Sequence, residues 1–91
     1  MDKKWFVYIL RCGDGTLYTG ITDDIKKRIA AHRDGTGAKY TRGRGPLYVC
    51  YLEELPSKSD ALKREIAIKR MDRKEKQNLC DLCKESVPDD L

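Results

Sequence analysis

Long apolar runs are missing from this chain. The stretch from Trp5 to Leu10 near its start falls far short of the roughly 20 residues that a bilayer-spanning helix needs. It is also shorter than a signal-peptide core and has no small-residue cleavage site after it. A cytoplasmic protein with no membrane association is expected. Histidine is nearly absent, His32 being the only one. Cys80-x-x-Cys83 is half of a zinc pattern, but no second closely spaced pair exists and His32 is remote in sequence. Zinc and redox chemistry are therefore disfavoured. Cys12 and Cys50 read as strand residues, and all four cysteines as reduced thiols. Internal repeats and low-complexity segments are absent, and nothing resembles a recognition helix or a zinc finger that would read base sequence.

What is present is a charged, moderately apolar chain of 91 residues, 40% hydrophobic and 37% charged. That length supports one compact core and no second. Residues 1–85 are expected to form the domain, and 86–91 a flexible acidic tail. The net charge is +4, and its distribution says more than its size. Residues 63–76 carry Lys63, Arg64, Lys69, Arg70, Arg73, Lys74 and Lys76 against Glu65, Asp72 and Glu75. Lys39, Arg42 and Arg44 lie among glycines in a second basic stretch. Such surfaces favour phosphate-rich partners, although a solvated helix face has the same composition.

Trp5–Arg11 is rich in β-formers and apolar on both alternating faces, the mark of a central strand covered on both sides. Cys12-Gly-Asp-Gly-Thr16 is turn chemistry, and Leu17–Ile21 is a second strand. Asp23 or Thr22 can cap a helix from about Asp24 to Arg33, which Gly35 ends. Residues 34–45 read as a loop. A third strand follows at Leu47–Glu53, then a helix opened by a Ser57/Asp60 capping box and running to about Met71, then a short helix at about Arg73–Lys84. The expected class is α+β: a small three-stranded antiparallel sheet with flanking helices, in the order β-β-α-β-α-α.

Helical periodicity places polar residues where a core is needed. In the first helix Ile25 and Ile29 define an apolar stripe that continues through Arg28 and His32. In the second, Leu62 and Ile66 lie to one side, Ala61 and Ile68 to the other, and Glu65 and Lys69 fall between. Each helix would thus turn a charged or titratable pair toward the sheet, where an unpartnered charge is costly. A local Glu65–Lys69 ion pair at i,i+4 is the plain explanation for that pair. In the hairpin, a three-residue loop with Gly15 left-handed opposes Cys12 to Thr16, Tyr8 to Gly20 and Leu10 to Tyr18, which sets both tyrosines on one sheet face. A two-residue turn would separate them; the odd-length loop is expected. Gly20, without a side chain, would leave open space across from Tyr8 for a phosphate.

Val7-Tyr8-Ile9 followed by Tyr18-Thr19-Gly20 resembles the two halves of the GIY-YIG signature. Arg28 stands where that endonuclease superfamily has its essential first-helix arginine, His32 where members carry His or Tyr, and Glu65 where they carry a metal-binding glutamate. The match runs from about Phe6 to Met71 and is closest to the small stand-alone bacterial members. Departures are Val-Tyr-Ile for Gly-Ile-Tyr, Thr19 for Ile, and an asparagine beyond the glutamate for which Asn78 is the one candidate.

The resemblance implies a metal-dependent endonuclease with one Mg²⁺ or Mn²⁺ at Glu65. Tyr8, Tyr18, Arg28, His32 and Glu65 would be its catalytic residues, and Gly20, Lys39, Arg42, Arg44 and Lys69 its substrate contacts. Arg28 would grip the scissile phosphate. Tyr18 is the candidate general base with Tyr8 assisting, and His32, with an ordinary pKa near 6.5, is the chemically easier alternative. DNA is expected in preference to RNA, with specificity for nucleic-acid structure or supplied by a protein partner. A non-catalytic nucleic-acid- or partner-binding module is the competing reading, and a redox or structural role for Cys80 and Cys83 a distant third.

Overall fold

A computed structural model of the chain describes residues 4–37, 41–83, 87 and 91. Strand β1 (Trp5–Arg11) turns into β2 (Leu17–Thr22), followed by helix α1 (Ile25–Asp34), strand β3 (Tyr48–Leu55) and helices α2 (Lys58–Lys69) and α3 (Arg73–Leu82). The three strands form one antiparallel sheet in the order β2-β1-β3. The central position of β1 follows from its sequence: Val7, Tyr8, Ile9 and Leu10 are all buried, so both of its faces are covered.

The hairpin has the odd-length loop. Cys12 N–H donates to the Thr16 carbonyl at 2.8 Å, Gly15 N–H to the Cys12 carbonyl at 2.9 Å, and Gly15 sits at φ 85°. Asp14 completes the turn by accepting from both the N–H and the hydroxyl of Thr16. That loop length sets the register as Tyr8↔Gly20 and Leu10↔Tyr18, which puts both tyrosines on one face. On β1·β3 the register shifts between Ile9, paired with Tyr51, and Leu10, paired with Val49, so Cys50 is the extra residue of a bulge.

The sheet carries a buried apolar cluster on each face. One holds Val7, Ile9, Tyr51, Ala61, Ile68 and Cys80, packed by α2 and α3. The other holds Tyr8, Leu10, Cys12, Ile29 and Leu47, packed by α1. Capping explains where the helices start. Asp24, one residue later than expected, caps α1 by accepting from Lys27 N–H, while the Thr22 hydroxyl accepts from Asp24 N–H instead. Gly35 closes α1 at φ 81°. Ser57 caps α2 by accepting from Asp60 N–H, as its sequence predicts. Asp72 and Glu75 form a capping box on α3.

The apolar geometry of α2 differs from expectation. Leu62 and Ile66 are exposed, Ala61 and Ile68 are the buried residues of the helix, and Arg64 reaches β3 through Glu53. Residues 61, 65 and 68 share one helical stripe, so Glu65 belongs to the packed stripe itself rather than to a seam between two apolar sides. All four cysteines are free, and Cys12 lies one residue past β1. Lys39 and residues 86 and 88–90 of the acidic tail lie outside the described residues. Among the described residues no helix is long and apolar enough to cross a membrane.

Candidate active site

Tyr8, Tyr18 and His32 form a triangle of rings on the α1 face of the sheet. The centroids are 6.4 Å apart for Tyr8–Tyr18, 5.7 Å for Tyr8–His32 and 5.3 Å for Tyr18–His32, both tyrosine–histidine contacts being edge-on. The triangle is assembled by three different elements. β1 supplies Tyr8, β2 supplies Tyr18 through the hairpin register, and α1 supplies His32 one turn beyond Arg28 and Ile29.

Hydrogen bonding orders the polar atoms. The Tyr8 hydroxyl lies 2.7 Å from His32 Nε2, and His32 Nδ1 lies 2.9 Å from Thr41 Oγ1. Arg28 Nε donates to the Tyr8 oxygen at 3.4 Å. Guanidinium can only donate, so the Tyr8 oxygen is an acceptor toward Arg28. With the ring hydrogen of a neutral His32 on Nδ1, facing Thr41, the Tyr8 hydroxyl donates to Nε2. A loop residue, Thr41, thereby fixes the imidazole from behind, a role that no feature of the sequence had announced.

Burial sets the protonation states. Tyr8 is completely buried and His32 is 1% exposed. Desolvation pushes the Tyr8 pKa up, opposed by the hydrogen bond from Arg28, with the Tyr18 and Glu65 charges adding to the rise. For His32, burial and then the positive charge of Arg28 bring the pKa down to about 4. The expectation of an ordinary histidine available as base is corrected on this point: His32 is a neutral, weakly basic, internal acceptor. The Arg28 pKa is raised, first by its bond to Tyr8 and further by Tyr18, so its charge is secure.

Gly20 also departs from expectation. A Cβ built there would meet the Tyr8 hydroxyl at 2.5 Å and Cζ at 2.7 Å. The space opposite Tyr8 is therefore filled by the Tyr8 side chain itself, not open to a phosphate. Only glycine lets the phenol cross to His32.

Glu65 enters from α2, with its side chain 16% exposed, and pairs with Lys69 Nζ at 3.5 Å. The local ion pair anticipated from sequence is thus present, and the Glu65 carboxylate is also close enough for its charge to contribute to the Tyr8 shift. Lys69 itself is 54% exposed. Among the described residues no three of His, Cys, Asp and Glu come together as a metal cage. A single carboxylate fits Mg²⁺, which keeps several waters and takes one or two protein carboxylates. The basic loop is held elsewhere: Arg44 pairs with Asp14 at the hairpin turn, and Arg42 Nε donates to the Gly35 carbonyl at 3.1 Å. Asn78 is exposed on α3.

Comparison with known proteins identifies the family. Residues 4–78 match the family model described as the GIY-YIG catalytic domain. A UPF0213 protein of Cupriavidus pinatubonensis is 49% identical over 80 residues, covering 88% of this chain and 89% of that protein. One from Halobacterium salinarum is 49% identical over 73 residues, covering 80% and 95%. Two solution NMR structures are similar. The UPF0213 protein from Bacillus halodurans has 46% identity and a TM-score of 0.57, covering 87% of this chain and 84% of that one. A protein from E. faecalis has 34% identity and a TM-score of 0.63, covering 97% and 96%. With that match spanning most of its length on a β-β-α-β-α-α fold, the chain belongs to the GIY-YIG family, among its small UPF0213 members.

Proposed function

We propose that the chain is a metal-dependent endonuclease that hydrolyses phosphodiester bonds in nucleic acid, selecting structure rather than sequence and DNA in preference to RNA. The observation that carries this reading is Arg28: a charged guanidinium anchored beside both tyrosines of the ring triangle, hydrogen-bonded to the buried Tyr8 phenol and to Tyr18. A planar fork suits phosphate, and a donor set positioned in advance is worth most where charge develops in the transition state.

The chain's own groups divide the work. Tyr8 keeps its proton, because burial raises its pKa, and uses its hydroxyl to hold Arg28 and His32 in place. It is a positioning residue. Tyr18 is only partly buried and lies at the mouth of the ring triangle. Its phenol oxygen is the group to orient an attacking water and, as phenolate, to take that water's proton and become the phenol. His32, neutral and internal, holds Tyr8 from behind. Glu65 would hold one Mg²⁺ or Mn²⁺, which when bound supplies charge neutralisation and a more acidic water. Lys69, Arg42, Arg44 and Lys39 would contribute longer-range attraction for the strand, and a protein partner would add any sequence choice.

The Glu65–Lys69 pair favours a second reading, in which Lys69 keeps the carboxylate occupied and the domain binds nucleic acid without cutting it. One experiment separates the two. Supercoiled plasmid, branched DNA and RNA are incubated with wild type and with Glu65→Gln, in Mg²⁺ or Mn²⁺, with and without chelator. Wild type should nick in a metal-dependent way, and Glu65→Gln should cut at least 100-fold more slowly while still retarding the nucleic acid on a gel. Retarded but intact nucleic acid with wild type selects the binding module. Wild-type metal affinity in the Gln variant would assign the metal to another ligand.

A further inference from the structure

β2 is an edge strand, and its free side has a polarity that its sequence does not advertise. The Cys12–Thr16 bond fixes the alternation of the hairpin ladder. Tyr18 and Gly20 turn their backbone groups toward β1, whereas Leu17, Thr19 and Ile21 turn theirs out of the sheet edge. Thr19, opposite Ile9, projects its side chain toward α2 and α3. The residue is 4% exposed, and its Oγ1 is the one buried side-chain polar atom without a hydrogen-bond partner among the described residues. A buried hydroxyl with no partner costs stability that an aliphatic side chain of the same shape would not, so this hydroxyl needs a reason.

A cleft of about 260 Å³ lies at this position, lined by Leu17, Tyr18, Thr19, Lys69 and Lys76. Its lining contains two ammonium groups and no carboxylate. Lys69 is tied to Glu65 only loosely, at 3.5 Å. Lys76 has no carboxylate within 4 Å among the described residues. Two cations beside an orphan hydroxyl and an outward-facing strand N–H form a donor-rich set with no carboxylate in its lining, the chemistry of an oxyanion site. Tyr18 lines this cleft and also belongs to the ring triangle with Tyr8 and His32, so the two places share a wall.

We propose that the Thr19–Lys69–Lys76 cleft is a subsite for a second, uncut phosphate of the nucleic-acid strand whose scissile phosphate lies at Arg28. Lys69 and Lys76 neutralise it, and Thr19 Oγ1 and backbone N–H donate to it once the lysine stems have parted to admit it. The assignment rests on the nuclease reading for its account of the strand's path, but not for the existence of an anion site. Lys76, on α3, thereby becomes a strand-positioning residue.

Fluorescence anisotropy tests this on a labelled single-stranded oligonucleotide without divalent metal, across a salt series. Lys76→Gln should reduce the slope of log affinity against log salt by about 0.7, the value for one lost phosphate contact on a single strand. Thr19→Val should bind 5- to 10-fold more weakly at unchanged slope, while melting no lower than wild type. Wild-type affinity in Thr19→Val, or a wild-type slope in Lys76→Gln, overturns the proposal. In the second arm, amide NMR shifts of Thr19 and Lys76 are followed with inorganic phosphate and with the oligonucleotide. A response to phosphate alone would make this a free-anion site and overturn the strand assignment. Because binding is read without metal, the two ideas fail separately. A wild type that never cuts, with both variants showing their binding changes, sinks the nuclease reading alone, and one that cuts while both variants bind normally sinks the subsite alone.

Discussion

The two faces of β1 are built from alternate residues of one heptapeptide, yet they follow opposite rules. On the α2/α3 face, Val7 and Ile9 meet Ala61, Ile68 and Tyr51 in an apolar core. On the α1 face, Tyr8 carries a hydroxyl into the interior and ties it to a buried histidine and a charged arginine. Apolar packing tolerates any side chain of suitable volume and shape. A buried polar network tolerates few changes, because each donor removed strands an acceptor. The first face should therefore govern stability, and the second should govern chemistry while adding a pH dependence to the fold.

The largest expected effect comes from breaking the apolar face. Ile68→Ala should lower unfolding free energy by about 2–5 kcal/mol, measured by urea denaturation. The ring-current shifts of Tyr8, Tyr18 and His32 should persist in its folded fraction. Loss of those shifts at low denaturant would mean that the two faces are one unit and that the contrast is false.

Titration sharpens the comparison from the other side. An unfolded histidine takes its proton near pH 6.5, whereas folded His32 takes it near 4. Between those values the unfolded chain binds more protons, so this contribution is complete above pH 6.5 and is lost as pH falls toward 4. Its size is about 3 kcal/mol at most. His32→Gln should flatten that part of the stability–pH curve, whereas Ile68→Ala should displace the whole curve and keep its shape. An equal slope in wild type and His32→Gln would place the titration elsewhere.

A smaller effect is expected at Gly20. Gly20→Ala forces a methyl against the Tyr8 hydroxyl and should cost roughly 1–3 kcal/mol as overpacking. The Tyr8–His32 contact should weaken in nuclear Overhauser spectra, while contacts of Val7 and Ile9 with Ala61 and Ile68 hold. A neutral substitution with the Tyr8–His32 contact intact would show that the phenol has room to spare.

Much of this molecule was legible along the chain. The strand and helix order follows from local patterns: apolar runs, Gly15 and Gly35 at positions needing positive φ, and Ser57 three residues before Asp60. The facing of Tyr8 and Tyr18 followed from loop length alone, because the two-residue period of a strand turns a count of turn residues into a choice of face. The polar stripe of α1 correctly marked Arg28 and His32 as residues turned inward. The α2 stripe was read less well. Leu62 and Ile66 look like core in sequence, but they are exposed, and α2 buries Ala61 and Ile68 instead.

Tertiary structure decided the rest. Sequence fixed which groups exist and on which face of their own element they stand, because those are matters of covalent order and helical or strand period. It could not fix what each group meets. The pKa of His32 depends on burial and on Arg28, the filling of the space at Gly20 on where the Tyr8 ring falls, and the partners of Arg44 and Arg42 on the hairpin turn and the end of α1. The orphan hydroxyl of Thr19 and its neighbour Lys76 are 57 positions apart and meet only when α3 folds back toward the edge of β2. Desolvation, hydrogen bonding and local charge act through space at a few ångströms, so they have no value until the chain has closed on itself.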